Sequence, residues 1–122
     1  MRLTRQRRMR QWGEFQAVRK LGQSTGGRFV VLGAHQDPAL TSTSFGFITS
    51  KKASKKAVTR NLLRRRFREI VRKHGDSILT GHRVVTIARW RAAEATFHEL
   101  EADWIKTAKR LKVWQEQTDR VP

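Results

Sequence analysis

Apolar residues recur along the chain at two spacings, and the change from one to the other marks its elements. Trp12, Phe15, Val18 and Leu21 come at steps of three, which predicts a short helix ended by Gly22. QSTGG, residues 23–27, reads as a glycine-containing turn into RFVVLGA, residues 28–34, whose apolar run predicts a buried strand. HQDPALTST follows, with a turn signal at Asp37-Pro38, and SFGFITS predicts a second strand. The connection between these strands is of hairpin type, which predicts antiparallel neighbours; one further short strand near them stays open. Leu63, Phe67, Ile70 and Val71 return to helical spacing in a helix that begins near residue 57. It is predicted to stop at His74-Gly75, with the glycine in the left-handed position after the last turn. HRVVTIA, residues 82–88, predicts another strand, and Phe97, Leu100, Trp104, Ala108 and Leu111 predict a final amphipathic helix. Thr96 and Glu99 stand at capping-box spacing at its start. The order helix, strands, helix, strand, helix predicts an α+β fold of packed layers, with one domain over residues 1–122.

Charge changes the picture more than length does. The 122 residues, 38% of them hydrophobic, suffice for one modest core, but 27 Lys and Arg against 10 Asp and Glu give a formal charge of +17. Such a density resists compaction unless a polyanion neutralises it, which makes nucleic acid the leading partner. No apolar run is long enough to span a bilayer, and MRLTRQRRMRQ lacks the apolar centre of a secretory signal, so the expected location is cytoplasmic, away from membranes. The absence of cysteine excludes disulfides, thiolate zinc sites and a cysteine nucleophile. Residues 1–11, with five arginines, are expected to form a mobile arm until an anion orders them, and residues 115–122 a frayed tail.

The charge concentrates in residues 51–75, KKASKKAVTRNLLRRRFREIVRKHG, where eleven Lys and Arg face a single acid, Glu69. Asn61, Arg65, Arg68 and Arg72 fall at i, i+4, i+7 and i+11 and share a helix face beside the apolar stripe. Guanidinium forks in line can hold phosphate oxygens bidentately, and the amide can address a base or a 2′-hydroxyl. The plainer reading, a solvated charged face, leaves the like-charge repulsion unrelieved. A membrane-surface helix would need the apolar face that the strands require for a core. His35, His74, His82 and His98 are scattered without metal-ligand spacing, and Glu14, Asp37, Asp76 and Asp103 could each touch hydrated Mg²⁺ without clustering as a two-metal nuclease requires. Trp12, Trp90, Trp104 and Trp114 could each stack on bases, but Trp104 lies on the apolar stripe of the last helix and reads as core, while Trp90 and Trp114 stay open. Gly26-Gly27 is a turn rather than a nucleotide site, so no nucleotide cofactor is expected.

FGFITSKKASKKAVTRNLLRRRFRE, preceded by RMRQWGEFQAV and RFVVL and followed by HRVVTIAR, resembles the protein subunit of bacterial ribonuclease P over roughly residues 2–112. The resemblance implies a two-layer α/β sandwich like a ribosomal-protein domain, with a left-handed β–α–β crossover. It implies a partner of a catalytic RNA subunit, which removes the 5′ leader of precursor tRNA by Mg²⁺-dependent hydrolysis. In that picture Mg²⁺ is bound mainly by the RNA, the protein has no catalytic residue of its own, and no obligate protein partner is expected. RNA-subunit contacts carry over to Arg60, Asn61, Arg64, Arg65 and Arg68, with Lys51, Lys52, Lys55, Lys56 and Arg72 as neighbouring phosphate contacts.

The resemblance also implies a cleft between the first helix and the sheet that takes the single-stranded leader on aromatic rings, to which Phe15 matches. Phe29 reads as either cleft or core. Three positions depart from the family pattern: Leu62 replaces the second arginine of the hallmark, Arg19 a cleft aromatic, and Leu32 an aromatic on the strand. Arg19 would offer guanidinium stacking and phosphate attraction, and Leu32 apolar contact only, so leader grip is expected to be more electrostatic. The competing expectation, from charge and size alone, is a structural ribosome-associated protein of the same fold.

Overall fold

The helices begin and end on local chemistry. A computed structural model describes residues 3, 4 and 7–115. Helix α1 spans Trp12–Leu21, and the Glu14 carboxylate accepts the N–H groups of Arg10 (2.8 Å) and Gln11 (3.2 Å) at its start. Helix α2 spans Ala57–His74 and buries Leu63, Phe67, Ile70 and Val71. Helix α3 spans Phe97–Arg110 with the predicted capping box: Thr96 Oγ1 accepts from Glu99 N–H at 3.1 Å, and the Glu99 carboxylate accepts from Thr96 N–H at 2.9 Å. Gly75 corrects one expectation, because it is right-handed (φ −60°, ψ −29°) and opens a 3₁₀ turn over Gly75–Ser77. The turn closes with Ile78 N–H on Gly75 O at 3.1 Å and carries Ile78 into the core, so no left-handed stop is needed.

Four strands, β1 (Gln23–Gly26), β2 (Val30–Gln36), β3 (Ser44–Ile48) and β4 (His82–Ala88), form one sheet in the order β1-β2-β4-β3. The predicted turn at QSTGG is therefore mostly a strand, antiparallel to β2 with Gln23 opposite Ala34. Its residues are almost all exposed, so it carries no apolar alternation; a short polar strand is also how a sheet edge avoids pairing with other chains. The predicted β2–β3 pairing is also corrected. β4 lies between them, antiparallel to β2 and parallel to β3. The connection over residues 37–43 is too long for a two-residue hairpin, and it is tied down where Asp37 accepts from Ala39 N–H (3.0 Å) and Arg83 (2.8 Å). β3, α2 and β4 form a parallel β–α–β unit.

Strand alternation sends side chains to two faces. Val30, Leu32, Ala34, Phe45, Val84 and Ala88 meet α2 and α3 in the main core, with Leu63, Phe67, Ile70, Leu100 and Trp104. Phe29 belongs to this core. Trp104 is fully buried, and its indole N–H donates to Thr86 Oγ1 at 3.0 Å, which satisfies the one polar group such a ring brings inside. Burying each such large side chain contributes about 1.5–3 kcal/mol. Beside Trp104 in the middle of α3, Asp103 accepts the N–H groups of Arg28, Phe29 and Val30 at 2.9, 2.8 and 3.1 Å, fastening the β1–β2 turn.

The α+β class is as predicted, and α1 lies on the second face of the sheet, opposite α2 and α3. There Met9, Val18 and Val85 form a smaller cluster with Phe15 and Ile87. Met9, expected in the mobile arm, is only 7% exposed and donates its N–H to Phe45 O at 2.8 Å, while Arg8 makes a parallel bridge to Phe45. Arg8 and Met9 are thus docked as a strand-like addition beside β3, because Met9 supplies the apolar anchor that composition alone obscures. Gln115, placed in the frayed tail, donates its N–H to Ser77 O at 2.6 Å. Residues 1, 2, 5 and 6 of the expected arm and 116–122 of the expected tail lie outside the described residues.

Candidate nucleic-acid interface

The α2 side carries the basic surface. Its apolar stripe faces the sheet, which turns Asn61, Arg65, Arg68 and Arg72 out to solvent, all exposed. Lys51, Lys52, Lys55 and Lys56 are exposed on the preceding loop, which buried Ala53 pins and which Ser50 and Ser54 shape by accepting the N–H groups of Lys52 (3.3 Å) and Lys56 (3.2 Å). Arg60 and Arg64 are half-buried and engaged within the protein. Arg60 donates to the carbonyls of Ser54 (3.0 Å) and Lys55 (2.9 Å), holding the lysine loop to the helix. Arg64 donates to Thr49 Oγ1 at 2.8 Å and to Asn61 Oδ1 at 3.1 Å, tying α2 to the end of β3 and orienting the amide.

Arg65, Arg68 and Arg72 line a concavity of about 250 Å³ with Leu3, Glu69 and Arg8. Arg8 was not anticipated, since the arm's composition signals disorder; only the Met9 anchor hinted at docking. Arg72 grips Glu69 through Nε at 2.9 Å, and this hydrogen bond holds the Glu69 carboxyl below its ordinary range.

The second surface is a cleft of about 300 Å³ between α1 and the sheet. Trp12, Phe15, Gln16 and Arg19 line it from α1 at i, i+3, i+4 and i+7, and Val31, Ile48, Val85 and Ile87 are among the sheet residues. Phe15 sits over Gly46, where an added Cβ would come within 2.6 Å of its ring. Arg19 is exposed at the rim. Leu32, expected here, is 0% exposed and faces the main core; the cleft-lining residues of that strand are its neighbours Val31 and Gly33, one step of alternation away on either side. Trp12, read as part of the helix stripe and as one of four tryptophans able to stack on bases, lines the cleft at 73% exposure. Trp90 is 61% exposed beneath the Arg91 guanidinium, whereas Trp114 packs on His74 and under Lys109.

The acids singled out for Mg²⁺ all serve the fold: Glu14 caps α1, Asp37 takes Arg83, Asp76 takes Arg7, and Asp103 holds the β1–β2 turn. Among the described residues no three His, Asp or Glu side chains gather as a metal site, and no helix is long and apolar enough to cross a membrane. His74 and Lys73 reach the Glu101 carboxylate at 2.8 and 3.2 Å, and the bond from His74 depresses the Glu101 pKa most. His82 contacts Thr80 O through Nδ1 at 3.0 Å, and His35 lies 3.5 Å from Arg83.

The Ribonuclease P family profile matches residues 3–112. The ribonuclease P protein component of Syntrophomonas wolfei is 30% identical over 119 residues, 98% of either chain. That of Symbiobacterium thermophilum is 38% identical over 86 residues, 70% of this chain and 74% of the relative. Among solved structures, the RNase P protein of Staphylococcus aureus superposes with a TM-score of 0.81 at 27% identity, covering 89% of this chain and 98% of that one. The RNase P protein of Thermotoga maritima gives 0.74 at 26% identity, covering 84% and 96%.

Proposed function

The chain belongs to the ribonuclease P protein family, and from that membership we propose that it binds both the RNA subunit of the holoenzyme and the 5′ leader of precursor tRNA. The observation that carries this reading is the placement of two unlike surfaces on opposite faces of one sheet. A basic helix with exposed Arg65, Arg68 and Arg72 lies on one face, and an apolar-floored cleft with Trp12, Phe15 and Arg19 on the other.

On the helix side, exposed Lys51, Lys52, Lys55, Lys56, Arg65 and Arg68 contact phosphates of the RNA subunit, and the free energy comes largely from released counterions. Arg60 and Arg64 act mainly by holding the lysine loop and Asn61 in position. In the cleft, Phe15 and Trp12 stack on leader bases, Arg19 attracts the adjoining phosphate and Val31 adds apolar contact; stacking tolerates any base, which suits a subunit that meets many precursors. Leader removal is hydrolysis of a phosphodiester carried out by the RNA subunit, and Mg²⁺ supplies charge stabilisation there. Glu14, Asp37, Asp76 and Asp103 do not fit that ion, since each is engaged in the fold. A cytoplasmic location goes with the substrate.

Reconstitution tests the reading. Adding the protein to its cognate RNA subunit and precursor tRNA at low Mg²⁺ should raise 5′ maturation, and no gain would overturn it. Arg65→Ala with Arg68→Ala should flatten the salt dependence of RNA-subunit binding by roughly 1.4–1.8 in log–log slope, two phosphates' worth. An unchanged slope would place these arginines away from the RNA.

A further inference from the structure

We propose that Arg8 joins Arg65, Arg68 and Arg72 in a single binding site for a backbone phosphate of the RNA subunit, and that filling this site steadies the segment beneath Phe15 in the leader cleft. The inference rests on the RNA-binding reading above and names a site within it.

Charge makes the first argument. Four guanidinium groups line the concavity with one carboxylate, Glu69, which Arg72 already grips. Among the described residues the side chains of Arg8, Arg65 and Arg68 have no hydrogen-bond or ion-pair partner. Like charges gathered from two separate segments repel unless an anion sits among them, and forked donors fit a phosphate. The concavity, about 250 Å³ and open to solvent, has room for a hydrated polyatomic anion.

The second argument is the path of the chain through the site. Arg8 bridges Phe45 in parallel fashion, and Met9 N–H donates to Phe45 O at 2.8 Å. Successive side chains of such a segment point to opposite sides. Arg8 therefore lines the concavity with α2, while Met9 is buried on the α1 side. Met9 Sδ and the Phe15 ring occupy the same space above Gly46, 3.1 and 2.6 Å from where a Cβ would stand. A phosphate on Arg8 holds this segment in register with β3, and the register holds Met9 beneath Phe15. Binding at one face of the sheet thereby favours the arrangement that grips the leader at the other, and the coupling is reciprocal.

Arg8→Ala in the full chain tests this, because the backbone bonds of the segment do not need the guanidinium. The expected results are a salt slope for RNA-subunit binding lower by roughly 0.7–0.9 and a preference of the holoenzyme for precursor over mature tRNA lower by about fivefold, the low end of ordinary coupling between sites. Amide exchange at Met9, slowed by the RNA subunit in the parent, should not be slowed in the variant. Arg8→Lys should restore the slope. An unchanged slope, or Met9 exchange indifferent to RNA while the parent binds the RNA subunit normally, would overturn this proposal alone. Failure of the parent to bind the RNA subunit would overturn the reading beneath it as well.

Discussion

Gly46 is where the cleft between α1 and the sheet can be perturbed without substituting a residue of the basic surface. An alanine there would put its Cβ 2.6 Å from Phe15 Cε1, 2.8 Å from Cζ and 3.1 Å from Met9 Sδ. Carbon atoms rest at about 3.5–4.0 Å, so the ring must withdraw by about 1 Å. Both neighbours are ends of flexible side chains, so β3 itself can keep its place and the cost is that of overpacking, about 1–3 kcal/mol in stability. The displaced ring forms part of the cleft wall, and a lost stacking contact is worth about 1–3 kcal/mol, or roughly 5- to 150-fold in affinity. Gly46→Ala should therefore raise the Kd for precursor tRNA by about fivefold or more and leave that for mature tRNA unchanged. RNA-subunit affinity should fall by no more than the roughly fivefold that coupling through Met9 and Arg8 transmits, because α2 itself lies across the sheet. Denaturant unfolding measures the stability loss on the same samples. Adding Phe15→Leu should relieve the overlap and recover stability without recovering precursor affinity. Equal weakening toward precursor and mature tRNA, or lost stability beside intact precursor affinity, would refute Phe15 as a leader contact.

Trp12→Ala should weaken precursor binding by about 1 kcal/mol, while thermal unfolding stays within about 0.5 kcal/mol of the parent, since the ring is exposed. Asp103→Ala removes the acceptor of three backbone N–H groups and should cost about 2–4 kcal/mol, read as a lower urea midpoint with RNA-binding determinants in place. Glu101, its pKa depressed chiefly by His74 and further by Lys73, contributes stability that is present above its unfolded value of about 4.3 and is lost as pH falls through the lower folded value. Glu101→Gln should therefore be less stable than the parent at neutral pH, with a deficit that shrinks as a pH series of unfolding curves descends below about 4.3.

Where local chemistry decides structure, the sequence could be read directly. The Thr96–Glu99 box and the apolar steps of α3 lie within a few residues of one another, as does the charge excess of α2. Pairing in the sheet is not local. β2 and β3 are adjacent in sequence, but the slot between them goes to β4, and nothing in either strand encodes that. β1 escaped notice because a strand exposed along its length needs no apolar alternation. The cleft position carried over to Leu32 from the family pattern falls one step from the cleft, and an apolar run buried on both faces offers no alternation to correct it. The steps of three in α1 misled for a geometric reason. On a helix of 3.6 residues per turn they drift by about 60° each, so Trp12 and Leu21, three steps apart, stand on opposite sides of the helix and cannot both be buried with Val18; both stand exposed, at 73% and 71%.

The central position of β4 also bears on how the protein is made. Val30 pairs with Ala88 and Phe45 with Val84, so the sheet closes through contacts between distant parts of the chain, which is a slow kind of closure. During synthesis β2 and β3 emerge without their common neighbour, and the apolar residues they later bury wait for residues 82–88 to leave the ribosome. The basic helix, residues 57–74, is complete before that moment, whereas the cleft needs Val85 and Ile87 from the late strand. A growing chain therefore displays its cationic segment before it owns a finished cleft.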